Sequence, residues 1–231
     1  MSKLKHQSEF IEYLSGFITK ERFHLFEKIL KNRTRYITVV LEDIYQPHNA
    51  SAVLRTCDCF GIQDVHIIEN QNKYQINPDV ALGSSKWLNL IKHSKAGNNT
   101  LNTINDLRNK GYRIVATTPH KNDIDLEDFD VEKGRTALFF GTELNGLSSI
   151  MLENADEYLK IPMFGFTESF NISVSAAIIL HKLSSIIRNS SVVWKLSDHE
   201  KQEILITWIK SSLKKPEMIE KHFREKKNNQ H

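Results

Sequence analysis

The chain has 231 residues, 40% hydrophobic and 26% charged, which allows one good-sized core and is ordinary for a soluble globular protein. Its longest apolar run, at 176–180, is far too short to span a bilayer, and the polar start Met1-Ser2-Lys3-Leu4-Lys5-His6 lacks the apolar stretch of a signal peptide. The net charge of +3 is uneven: +4 over 1–35, −4 over 36–194 and +3 over 195–231. Basic ends around an acidic middle suit a polyanion partner, and solvated lysine-rich helices explain them equally well.

Taken in order, residues 3–31 predict one or two amphipathic helices, with Phe10, Leu14 and Phe17, then Phe23, Phe26 and Leu30 at apolar positions. The β-branched, apolar segment 36–41 reads as a buried strand. A turn follows at Gln46-Pro47-His48, and Asn49 stands where an N-cap belongs. Ala52, Val53, Thr56, Cys57 and Phe60 recur at helical spacing up to Gly61, which is placed as a C′ glycine. Cys57 and Cys59 point apart on such a helix, so no disulfide is expected and a reducing, cytoplasmic setting fits. With the next strand at 64–68 this is a βαβ unit and implies a parallel sheet. Further strands are expected at 113–117, 136–140 and 158–161, and a helix over 101–110 ending at Gly111. The strongest helix runs over 171–188, with Ile172, Ala176, Ile179, Leu180, Leu183 and Ile187 on one face. After Trp194 two more helices begin, the first near Ser197, which with Glu200 resembles a capping box, the second near Pro216. The organisation expected is a helical extension over 1–35, an α/β domain over 36–190 and a basic helical extension over 191–231.

Two absences restrict the chemistry. No G-x-G-x-x-G follows a strand and no G-x-x-x-x-G-K-[ST] occurs, which removes the usual dinucleotide and triphosphate pockets. The ten histidines are scattered without H-E-x-x-H, and the cysteine pair has no second pair, so no metal site is expected. Three other segments are candidates for a ligand loop. Asn49-Ala50-Ser51-Ala52-Val53-Leu54-Arg55-Thr56 opens a helix at the carboxyl end of a strand, with Ser51 and Arg55 on one polar face. Phe140-Gly141-Thr142-Glu143-Leu144-Asn145-Gly146 follows an apolar strand, and its glycines allow close backbone approach. In the stretch 161–175 a strand ends at Pro162, a loop holds Gly165, and the long helix opens near Ser169 or Asn171, where free N–H groups suit an anion. Each segment alone has a plain structural explanation: a solvent-facing cap, a βα turn, small serines packed on backbone.

In combination, N-x-S-A-x-x-R-T, G-x-E-x-x-G and I-P-M followed by S-F-N-I-S-V-S-A-A resemble, in that order, the SpoU class of the SPOUT methyltransferases. The nearest likeness is to its TrmH group, tRNA guanosine 2′-O-methyltransferases. The resemblance covers 36–188, including Pro47-His48-Asn49, 77–87 and Ala116-Thr117. Phe170-Asn171-Ile172 stands where Leu-Asn-Val is usual, a change that keeps the apolar character.

The resemblance implies an α/β fold with an open, mostly parallel sheet and a C-terminal trefoil knot, a connectivity that pattern reasoning alone would not propose. It implies S-adenosylmethionine as cofactor, in a cleft lined by Thr117, Gly141, Ile161 and Phe170, and a homodimer with active sites near the subunit interface. The reaction would be methyl transfer to the ribose 2′-hydroxyl of a D-loop guanosine in tRNA. Arg55 would activate that hydroxyl; because a guanidinium does not deprotonate in proteins, its expected role is a charge clamp on phosphate and forming alkoxide. Asn49, Glu143, Ser169 and Asn171 would complete the site, the last two nearest the methyl. Ribosomal RNA is the alternative substrate, less expected because only about 35 mainly helical residues precede the core. A silent RNA-binding homologue is the other alternative, and it sits poorly with a complete motif set.

Overall fold

A computed structural model describes residues 2–74, 77, 81, 83–95, 97–119 and 123–228. Positions 78–80 and 82 of the 77–87 stretch, and the last three residues of the basic tail, lie outside the described residues. The strands are β1 (Ile37–Glu42), β2 (Asp64–Ile68), β3 (Asn89–His93), β4 (Arg113–Thr117), β5 (Ile124–Asp125), β6 (Thr136–Phe140) and β7 (Glu157–Lys160). The helices described are α1 (Ser2–Ser15), α2 (Lys20–Leu30), α3 (Pro47–Phe60), α4 (Asn99–Asn109), α5 (Ser149–Glu153), α6 (Ile172–Asn189), α7 (Asp198–Ser211) and α8 (Pro216–Asn228). The chain forms two compact units: 34–194, and 1–33 together with 195–231. The two flanking segments, read from sequence as separate extensions, thus share one unit.

In the larger unit the strands form one sheet in the order β3-β2-β1-β6-β4-β7-β5, and every pairing is parallel. A parallel sheet is covered on both faces, and all six residues of β1 are buried. Alternation along β1 sends Ile37, Val39 and Leu41 into the core that includes α3 and α6. Val40 joins the opposite core, with Ile104 and Leu107 of α4. The six apolar residues expected on one face of α6 are all buried, and α6 packs on α3. Strands 64–68, 113–117 and 136–140 stand where the pattern put them.

Three elements had no sequence signal. β3 carries only Leu90 and Ile91, side by side rather than alternating, while β5 and α5 are too short to show a period. One expectation is corrected: Asn49 is not the N-cap of α3. The helix begins at Pro47, whose fixed φ and missing N–H suit the first helical position, so Asn49 lies within the first turn. At the other end Gly61 is left-handed, φ 78°, as the C′ reading required.

In the smaller unit Leu14, Phe26, Leu30, Ile204, Trp208 and Ile209 are buried together, and the Arg33 guanidinium lies 5.3 Å from the centre of the Trp208 ring. The Ser197–Glu200 capping box is formed at the start of α7. No helix among the described residues is long and apolar enough to cross a membrane. Nor do the described residues bring together three or more His, Cys, Asp or Glu groups that could hold a metal.

Candidate active site

Because the strands are parallel, the chain leaves β1, β4, β6 and β7 at the same edge of the sheet, where open α/β sheets bind ligands. The loop after β6 is closed on itself. Thr142 and Gly146 exchange backbone N–H···O bonds of 2.9 Å, and Gly146 turns the chain back with φ 66°. Gly141 is forced by the same closure: a Cβ there would lie 2.2 Å from the Gly146 carbonyl carbon. The glycine spacing therefore serves the loop's own fold, whatever ligand it meets.

Three motif loops meet in one hydrogen-bonded cluster. The Asn49 amide, only 4% exposed, donates to Glu143 Oε1 at 2.8 Å and to Gln46 Oε1 at 2.9 Å. The Asn171 amide donates to the same Glu143 oxygen and to Asn49 Oδ1, at 2.5 and 3.1 Å. Asn171 also caps α6: its Oδ1 accepts from the Ser173 N–H at 2.8 Å and the Ser173 hydroxyl at 2.6 Å. One residue thus fixes the helix start and ties it to the other two loops. Freed from capping α3, Asn49 can make these bonds; its burial comes from the helix beginning two residues earlier.

Beside the cluster lies a cavity of about 350 Å³, within the range of small-molecule sites. Thr117, Gly141, Glu143, Ile161, Ser169 and Phe170, all singled out from sequence, line it. Leu147, Leu152 and Ile179 supply further apolar wall. Among the described residues no lysine or arginine lines it, whereas Glu143 and Glu168 do, a field that suits a ligand carrying positive charge. The Thr117 hydroxyl is occupied by the Phe139 carbonyl at 2.8 Å, so the ligand meets that residue's other atoms.

Arg55 is not drawn into this assembly. It is exposed on α3, forms no ion pair among the described residues, and does not line the cavity. It sits six residues beyond Asn49, roughly 9 Å along the helix. Ser51 does not share its polar face. It is fully buried and accepts a 2.8 Å bond from the Asn77 N–H. Sequence reasoning missed Gln46, hidden in a turn tripeptide, and Glu168, an acidic loop residue with no distinguishing neighbour.

Residues 36–181 match the model of the SpoU rRNA methylase family, and the chain belongs to that family. A tRNA (guanosine(18)-2′-O)-methyltransferase of Borreliella burgdorferi is 46% identical over 91% of this chain and 94% of its own. The crystal structure of the A. aeolicus TrmH/SpoU tRNA modifying enzyme superposes with a TM-score of 0.74 at 29% identity, over 84% of this chain and 98% of that one. The SpoU methyltransferase AviRb from Streptomyces viridochromogenes, solved in complex with AdoMet, shares the fold with a TM-score of 0.59 at 23% identity, over 71% of this chain and 65% of that one.

Proposed function

We propose that this chain is a tRNA (guanosine(18)-2′-O)-methyltransferase that uses S-adenosylmethionine and acts as a homodimer. The observation that carries the reading is the single cluster Asn49–Glu143–Asn171 beside an apolar, carboxylate-bearing cavity, in a chain 46% identical to such an enzyme. The cavity fits the cofactor in size, in apolar wall and in the sign of its charge. When bound there, S-adenosylmethionine supplies an electrophilic methyl on a sulfonium.

The residues of the chain do the rest. Thr117, Gly141, Ile161 and Phe170, which line the cavity, would hold the cofactor, and Ser169 of the same lining, with Asn171 bonded to Glu143, would border the place where the ribose hydroxyl meets the methyl. Glu143, held by two amides on one oxygen, keeps the three loops in register. A 2′-hydroxyl is a poor nucleophile; its proton would pass to the adjoining phosphate or to water, and Arg55 would stabilise the forming alkoxide and that phosphate by its fixed charge. Since Arg55 stands apart from the cavity within one chain, we assign that role to Arg55 of the partner subunit.

The test is methyl transfer to a tRNA transcript, with the product mapped by mass spectrometry. Transfer to the guanosine at position 18 is expected, and transfer confined to ribosomal RNA overturns the reading. Arg55→Ala should abolish transfer with S-adenosylmethionine affinity unchanged. Mixing Arg55→Ala with Asn171→Ala subunits should restore about a quarter of wild-type activity, because half the dimers then hold one complete site. No recovery on mixing places Arg55 in its own chain's site.

A further inference from the structure

A second hollow, of about 490 Å³, lies against the far side of the 142–145 loop. Ile44, Tyr45, Gln46 and Asn72 line it on one side and Leu144 and Asn145 on the other. It shares Thr142, Glu143, Leu144, Asn145 and Ile172 with the cofactor cavity, and Asn49 of the cluster also borders it. The two hollows are therefore neighbours across one thin loop.

The lining selects the ligand. Among the described residues no lysine, arginine or histidine lines it, and Glu143 is the one charged residue that does, so it repels phosphate. Side-chain amides offer both donors and acceptors, and the Tyr45 ring, 76% exposed, offers a flat face. That combination suits an uncharged heteroaromatic ring with polar edges, and bases stack on such a platform irrespective of sequence. Geometry agrees. In-line transfer holds the acceptor ribose against the methyl donor, so the base, one glycosidic bond away, must occupy space adjoining the cofactor cavity.

We propose that this hollow takes the nucleobase of the target nucleotide, unstacked from the RNA, with Tyr45 as its stacking platform. The proposal rests on the RNA-methyltransferase reading and adds to it where the base goes. A base lifted out of its stack loses its neighbours' stacking, which the platform replaces in part.

Tyr45→Ala tests it. The ring is exposed, so its loss leaves the fold intact. KM for tRNA should rise about 10-fold, with S-adenosylmethionine affinity unchanged by calorimetry and Tyr45→Phe close to wild type. The decisive substrate is a tRNA with an abasic ribose at the target position, 2′-hydroxyl retained: there wild type and Tyr45→Ala should behave alike. An effect of equal size on the abasic substrate, or none on the intact one, overturns the proposal. So does dissociation of Tyr45→Ala subunits in light scattering, which would make the hollow a surface covered by a second copy. Failure of the wild-type protein to methylate any tRNA overturns the functional reading and this proposal with it.

Discussion

At the scale of single residues, an acid outside the three motifs pins the loop that follows β6. Glu42 ends β1 and is 2% exposed. Its carboxylate accepts from the Ser148 N–H at 2.8 Å, the Ser148 hydroxyl at 2.7 Å and the Thr100 hydroxyl at 2.6 Å. Ser148 in turn caps α5, accepting from the Met151 N–H at 3.1 Å. The exit of the 141–147 loop is therefore pinned to the neighbouring strand and to the start of α4. Glu42→Gln keeps the shape and reverses part of the chemistry: either orientation of the amide brings N–H donors to a place already supplied with three. One buried donor is left unpaired, at a cost of about 1–3 kcal/mol. We expect S-adenosylmethionine affinity to fall about 10-fold, with tRNA affinity unchanged. Equal loss in both would mean a general loosening of the fold. Glu42 was not legible in the sequence, where the apolar run stops at Leu41 and the next residue looks like the first solvated one. Its burial is set by α4 and the 148 turn, which lie 58 and 106 residues away.

At the scale of elements, strand pairing sets an acid limit on stability. His66 of β2 and His93 of β3 sit ring to ring, Nδ1 to Nε2 at 2.9 Å. One bare nitrogen accepts the other ring's N–H, so the contact lasts only while the accepting nitrogen stays unprotonated. Burial, reinforced by His93 and Lys110, pushes the pKa of His66 down to about 3. His93 is lowered too, mainly by burial, although Asp106 pulls it the other way. A folded pKa below the unfolded value of about 6.5 means the chain takes up protons on unfolding in acid. The contribution is whole above pH 6.5 and shrinks as pH falls towards 3, by up to ~1.4 kcal/mol per pH unit for His66. Melting temperature should fall between pH 7 and 4.5, and His66→Gln should flatten that slope; an unchanged slope would locate the acid sensitivity elsewhere. The same pair shows why β3 escaped notice. A strand of Asn, Leu, Ile, Lys and His has no period, and only its register against β2 makes the half-buried His93 a partner of His66. Strands buried on both faces, such as 136–140, were legible because apolar content alone identifies them. The motif loops were legible as residue types in order, whereas their junction through Glu143 depends on tertiary closure.

At the scale of the whole molecule, charge follows the division into units. Residues 1–33 and 195–231 hold sixteen Lys and Arg against ten Asp and Glu, a balance of +6, and residues 34–194 a balance of −3. The unit that carries the site chemistry is acidic, and the helical one is basic. On the proposed function, holding a cationic cofactor in one place and a polyanion in another gains from that separation. Deleting 195–231 would test the idea badly, since it removes Ile204, Trp208 and Ile209 from the core they share with Leu14 and Phe26. Surface substitutions are cleaner. Lys214 and Lys215, between α7 and α8, and Lys226 on α8 are exposed and have no ion pair among the described residues, whereas Lys210 is engaged with Glu220 at 2.6 Å. The triple change to alanine should leave melting temperature within a degree or two and weaken tRNA binding at low salt. If each lysine neutralises one phosphate, the slope of log affinity against log salt becomes shallower by roughly two to three units. A slope identical to wild type would show that these lysines face solvent only, and that the positive balance of the helical unit serves something other than the RNA.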